Sequence, residues 1–382
     1  MKKYLSILIA LFVFLIVIQP NSFSQDSSRL RISLITCSPG EELYSIFGHS
    51  AIRIIDSNSV TDYVFNFGTF NFDDNFYLNF TKGKLNYYLS VSTIEDFMYE
   101  YFVTNRKVFE QELMLSGAEK KNIQHILNEN SKEENKYYQY DFFYNNCTTR
   151  LRDLLLQFKH PTPSFPIVMK DNTTFRKALH TYLERGNQYW SELGIDLLLG
   201  SPVDKVMSAS EQAFLPENLM NALNAYQHSQ LIKNTTILNN PNTTIKNQSA
   251  NEPLVVFSFL LIAIVPLSYI KNNKVNYFLS IFDRMLFSVT GLLGLLLIGM
   301  WLFTDHQTMK NNYNILWACP FNLIAPFIIS SNKNLAKSYF LLTSIFFAVV
   351  ICCWNFLPQQ YNISLFPFVL LLLFRSIRIY RK

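Results

Sequence analysis

The spacing of apolar positions changes along this chain. Behind Lys2 and Lys3 runs an apolar stretch, Tyr4–Ile18, followed by Pro20 and the small residues Ser22 and Ser24. A basic start, an apolar middle and small residues two apart are the layout of a signal peptide over residues 1–24; an uncleaved anchor reads the same way, and either one exports the segment behind it. Residues 25–230 then mix two rhythms. Arg29–Thr36, Ser50–Ile55, Tyr63–Phe67, Lys84–Ser90 and Val108–Leu115 read as strands, the second and third joined as a hairpin across Asp56–Ser59. Ile94, Phe97, Met98, Tyr101 and Phe102 recur at helical spacing behind the N-cap Thr93. Ser116 and Glu119 form a capping box for a helix reaching Asn130. This is the pattern of an α+β domain with enough Phe and Tyr to bury a sizeable core.

Residues 231–252, rich in Asn and Thr, read as a linker. Beyond them lie five apolar segments, Leu254–Ile270, Met285–Phe303, Tyr313–Ser330, Ser338–Trp354 and Ser364–Phe374, which predict an all-α transmembrane bundle over 253–375 and a basic cytoplasmic tail over 376–382. Charge supports that topology. Lys271–Arg284, Ser331–Lys337 and the terminus Arg375–Lys382 are basic, whereas Thr304–Asn312 and Asn355–Ile363 carry almost no charge. Basic loops stay inside, so the two neutral loops face the exported domain's side. With 49% hydrophobic and 16% charged residues, the chain is neither disordered nor an ordinary soluble domain. Its net charge of +5 is therefore a topology signal and predicts no nucleic-acid partner. The five cysteines show neither CxxC nor metal-ligand spacing, so no metal, cofactor or disulfide framework is expected.

Cys147 stands immediately before the helical pattern Thr148–Phe158, with Leu151, Leu154, Leu155 and Phe158 on its side of the helix and Asn145 or Asn146 as N-cap. A helix N-terminus lowers a thiol pKa and supplies N–H donors to an oxyanion, the makings of a nucleophile; a buried structural cysteine fits the same position. His49 begins a strand behind Gly48, where it serves either as the thiol's base or as a structural residue. A base needs an orienting group, and the hairpin offers Asn66 opposite His49, where a one-residue slip of register substitutes Phe67, with Asp62 and Tyr63 behind Asn66. Asp305 and His306 lie in an outward loop where they can dock the domain or meet substrate, and Tyr144 is a further substrate-side candidate. His125 falls on the exposed side of a helix, and His160, His180 and His228 show no partner pattern, so none of the four is expected to have a special role.

Taken together, GHSAIRI (Gly48–Ile54), YVFNFGTFNF (Tyr63–Phe72), KGKLNYYL (Lys82–Leu89), YDFFYNNCTTR (Tyr140–Arg150) and the later TDH and NNYNILWA (Asn311–Ala318) resemble the Bacteroides-type lipoprotein N-acyltransferases over nearly the whole mature chain. The resemblance implies a permuted NlpC/P60, papain-like exported domain in which histidine precedes cysteine, as in lecithin:retinol acyltransferase. It implies a phospholipid acyl donor, a Cys147 thioester, His49 as base and a diacylated lipoprotein acceptor, at the outer face of the cytoplasmic membrane. No acidic residue stands out after His49 in the way it does in NlpC/P60 relatives, so the third member is open. Two rival readings are a membrane-tethered Cys/His hydrolase and a non-catalytic membrane assembly protein.

Overall fold

A computed structural model describes residues 29–71, 76–84, 86–160, 162–226, 231–241, 249–331 and 333–381. The expected signal peptide, His228 and part of the expected linker lie outside the described residues. The exported half contains β1 (Leu30–Cys37), β2 (His49–Asp56), β3 (Thr61–Thr69), α1 (Phe76–Lys82), β4 (Asn86–Thr93), α2 (Ile94–Val103), β5 (Val108–Leu113), α3 (Gly117–Asn130), β6 (Tyr137–Gln139) and α4 (Cys147–Phe158). It continues with α5 (Phe175–Arg185), α6 (Tyr189–Leu198), α7 (Ala209–Gln212), α8 (Pro216–Asn224) and β7 (Ile232–Asn239). The strands form one antiparallel sheet in the order β6-β4-β3-β2-β1-β5-β7.

Successive side chains of a strand point to opposite faces, and here both faces are covered. Ile32, Leu34, Ile52, Ile54, Phe65 and Phe67 pack with Leu151, Leu154 and Leu155 of α4, while Ile35, Ala51 and Val64 pack with Phe97, Met98 and Tyr101 of α2. Each fully buried Leu or Phe contributes about 1.5–3 kcal/mol. The local signals at helix starts hold. Thr93 caps α2, Ser116 and Glu119 close a capping box at α3, and Asn146 caps α4 by accepting from the amides of Thr148 and Thr149.

Residues 231–252 are not simply a linker, because they open with β7, which pairs along β5 and completes the sheet edge. Their Asn and Thr side chains suit an exposed edge strand, and composition alone could not separate that from a loop.

The second half contains α9 (Glu252–Leu267), α10 (Asn273–Phe303), α11 (Ala325–Ser331), α12 (Lys333–Cys352) and α13 (Leu365–Tyr380). By length and composition, Asn273–Phe303 and Asn334–Cys352 can cross a membrane, and Glu252–Leu267 and Pro320–Ile329 are shorter apolar helices. The expected third span, Tyr313–Ser330, is not one helix: it runs as 3-10 turns at Tyr313–Leu316 and Pro320–Ile324 before α11. Pro320 and buried asparagines break it. Asn314 donates to Asp196 O at 3.0 Å, and Asn322 donates to Thr290 Oγ1 at 3.1 Å. Irregular backbone is tolerated at this depth where protein buries it, and Gly294 of α10 permits the approach, since a Cβ there would meet Ala318 O at 2.0 Å. The expected last span ends at Phe374, but α13 continues through most of the basic tail to Tyr380. Within this half, Arg375 donates to both oxygens of Asp283, at 2.6 and 2.7 Å, so each buried charge has its counter-charge.

Candidate active site

Cys147 is the first residue of α4, and His49 is the first residue of β2. Gly48 turns the chain into β2 at φ +79, and any Cβ there would lie 2.7 Å from Cys37 O. Only glycine fits this entry to the strand. His49 Nε2 and Asn66 Oδ1 are 2.6 Å apart. An amide oxygen only accepts, so His49 donates from Nε2 in this contact, and Nδ1 is the ring nitrogen that Asn66 leaves unengaged. Asn66 does not sit directly opposite His49 as expected. The β2–β3 ladder stops at Ile52↔Phe65, and β3 bulges between Asn66 and Thr69, so Asn66 reaches the ring as a diagonal neighbour on the same face. Asp62 is committed elsewhere, accepting from Arg53 Nε at 2.7 Å.

The thiol closes the group. A side-chain carbon at Gly68 would lie 3.5 Å from Cys147 Cβ and 3.8 Å from His49 Cε1, so the two side chains flank one point of the β3 bulge. Burial pushes the Cys147 thiol up, but the His49 charge and hydrogen bond, the Ser50 amide and the Thr148 hydroxyl pull harder, lowering it from an ordinary 9.0 to about 7. Burial likewise depresses His49, yet Cys147 and Asn66 raise it above its ordinary value. The two shifts together favour a thiolate–imidazolium pair. Thr148 is itself held by a 3.0 Å hydrogen bond to Ser50 Oγ. Cys37, paired with His49 across the β1–β2 ladder, is a contrasting case: burial raises its thiol to about 12, leaving it inert.

Two tyrosines lie within reach of the Cys147 charge. Tyr138 is buried, feels the Cys147 charge, and turns its hydroxyl toward the Gly68 amide without a well-formed hydrogen bond. Arg150 lies over its ring, 3.9 Å from the centroid. Tyr140, also near the Cys147 charge, stacks on Tyr87 at 4.2 Å. The alternation in YYQYD, which puts residues 138 and 140 on one side, was the available signal for both. Tyr144 is placed elsewhere: it is exposed and packs on Phe175, with ring centroids 5.6 Å apart.

Asp305 and His306 meet the exported domain at α1. Asp305 donates its backbone N–H to Lys82 O at 3.0 Å, and His306 Nε2 donates to Phe80 O at 2.8 Å. A further joint involves His180, for which the sequence suggested no partner. His180 Nε2 is 2.9 Å from Asp196 Oδ2, Arg176 Nη1 donates to Asp196 Oδ1 at 2.7 Å, and Asn362 donates to both Glu192 Oε1 and Asp196 Oδ2. The missed signal was a pair of i,i+4 spacings, Arg176/His180 on α5 and Glu192/Asp196 on α6. His180, Glu192 and Asp196 present ligand-type atoms within 4.8 Å of one another. However, the Asp196 carboxylate already accepts from three donor groups, one of them a guanidinium, so the cluster reads as a polar joint between the two halves.

The molecule is thus an exported α+β domain with a thiol–imidazole–amide site, docked on apolar helices. Residues 22–177 match the model of the Lnb N-terminal periplasmic domain, and residues 245–382 match that of the Lnb transmembrane domain. The chain belongs to the Lnb family, the Bacteroides-type lipoprotein N-acyltransferase family. It is a membrane protein with an exported domain, of a family that points to lipoprotein processing. No curated protein and no solved structure matches it.

Proposed function

We propose that the protein transfers an acyl chain from a phospholipid to the α-amine of a diacylglyceryl-cysteine lipoprotein, through a thioester on Cys147. His49 Nδ1 takes the thiol proton, and the thiolate attacks the ester carbonyl. The tetrahedral intermediate collapses to the thioester, and the lysophospholipid leaves as an alcohol carrying the proton from His49. The lipoprotein amine then attacks the thioester, forming the amide, returning the thiolate and giving up a proton to His49. A thiol nucleophile splits one slow transfer into two easier ones. The buried Tyr138 hydroxyl and the N-terminus of α4 are the donors we assign to the oxyanion. We also take the exported domain as a permuted papain-like fold, a reading supported by the order His49 then Cys147 and by a strand-borne histidine facing a helix-start cysteine.

The single observation that carries this reading is the His49–Asn66 contact of 2.6 Å beside a thiol lowered to about 7. A structural cysteine needs neither. The test is mass spectrometry of Cys147 after incubation with phospholipid alone, then with added lipoprotein. An acyl mass on Cys147 that moves to the lipoprotein is expected, and Cys147→Ala abolishes both. Transfer at full rate by Cys147→Ala overturns the mechanism, and acyl release to water in the presence of lipoprotein favours a hydrolase.

A further inference from the structure

We infer that α1 is a membrane-seated lip, with Leu78 in the acyl region of the leaflet on the exported side and Lys82 and Lys84 at the phosphates of its glycerophospholipids. The segment FYLNFTK is mostly apolar, yet two of its apolar side chains stay open to the surroundings: Leu78 is 53% and Phe80 47% exposed. Such surface is unfavourable in water and costs nothing against lipid chains.

What fixes its depth is α10. At 1.5 Å per residue, the helix Asn273–Phe303 is longer than the ~30 Å hydrocarbon layer. Its last residues remain apolar and open, Leu302 at 64% and Phe303 at 80% exposure. The next residues clamp α1 to that end, through the Asp305 amide on Lys82 O and His306 Nε2 on Phe80 O, with the His306 ring edge-on to Phe80 at 6.3 Å. The apolar surface of the span therefore continues into the exported domain at the same level. Lys82 and Lys84, both exposed, come directly after it, and cations beside an apolar wedge match the phosphate layer.

The lip also adjoins the wall of the site. Gln139 Nε2 donates to Gly83 O at 2.8 Å, and Asn145 Nδ2 donates to Gln139 O at 2.7 Å, two residues before Cys147. A lipid at α1 is thus next to the chain segment that carries the thiol. The inference rests on the membrane reading of the second half and not on thioester chemistry.

The test uses the full-length protein in nanodiscs of phosphatidylethanolamine and phosphatidylglycerol. A photoreactive benzoylphenylalanine is placed at position 78, at position 303 as the lipid-facing reference, or at position 99, where Tyr99 is 71% exposed on α2. After illumination, lipid-mass adducts are expected at 78 and 303 and not at 99. A position 78 that labels no better than 99 while 303 labels overturns the inference. An adduct at 78 with no acyl mass ever found on Cys147 upholds the lip and removes the thioester reading alone.

Discussion

Asn66 Oδ1 holds His49 Nε2 at 2.6 Å from a diagonal position on the neighbouring strand, and this bond fixes which ring nitrogen is left for the thiol. Asn66→Ala removes a hydrogen bond to a group that becomes charged, worth about 1.5–3 kcal/mol. A roughly 10- to 150-fold loss of acylation rate is expected, with Cys147 still present and the protein folded. Asn66→Gln should recover part of it if the longer amide reaches the ring. Single-turnover acylation of Cys147 checks this, and an unchanged rate and pH profile in Asn66→Ala excludes an orienting role.

The pH dependence of the thiol is set by its partners. With its pKa lowered from 9.0 to about 7, Cys147 is largely thiolate above neutrality and loses reactivity as pH falls through about 7. Iodoacetamide alkylation measured against pH should show that midpoint. In His49→Ala the midpoint should move up toward the ordinary thiol value, because the charge and hydrogen bond that oppose burial are gone.

Gly48→Ala should lower thermal stability and misplace His49 together. A positive φ costs a side-chain-bearing residue about 1–2 kcal/mol, and the new Cβ would also press on Cys37 O from 2.7 Å. A melting curve and the alkylation midpoint are the measurements, and a wild-type value for both contradicts the geometry.

In the outward loop, the two residues should separate. Asp305 docks through its backbone amide, so Asp305→Asn should be nearly silent, whereas His306→Ala removes the ring's bond to Phe80 O. Protease accessibility around Lys82 and Lys84 in nanodiscs should rise for His306→Ala only.

The polar joint at Asn362 should weaken with alkali. Burial raises Glu192 from 4.5 to about 7, and His180 is also raised, burial being outweighed by Asp196. Groups raised in the fold contribute stability that is complete below their unfolded values and lost as pH rises through the folded ones. Thermal stability in nanodiscs should therefore fall from pH 6 to pH 8, across the value of about 7. Glu192→Gln, which keeps an acceptor for Asn362 but cannot ionise, should flatten that fall.

The sequence by itself determined what depends on near neighbours. The cap at Thr93, the capping box at Ser116 and Glu119, and the start of α4 at Asn146–Cys147 are set within four residues, because a helix end satisfies its amides locally. The motif boxes gave the family for the same reason: they are contiguous strings. What the tertiary structure alone decided lies between distant segments. Hydropathy could not see that Tyr313–Ile324 is broken into turns whose asparagines bond Asp196, Leu197 and Thr290, since each bond joins a turn to another element. The edge strand β7 needed β5 to exist, as a lone strand leaves its ladder groups unpaired. Asn66 meets His49 because the β2–β3 register sets it diagonally across from the ring, and Tyr138 comes within reach of the Cys147 charge because β6 pairs with β4. Local capping is decided by the next few residues, whereas a site built on sheet register depends on how the whole sheet is assembled.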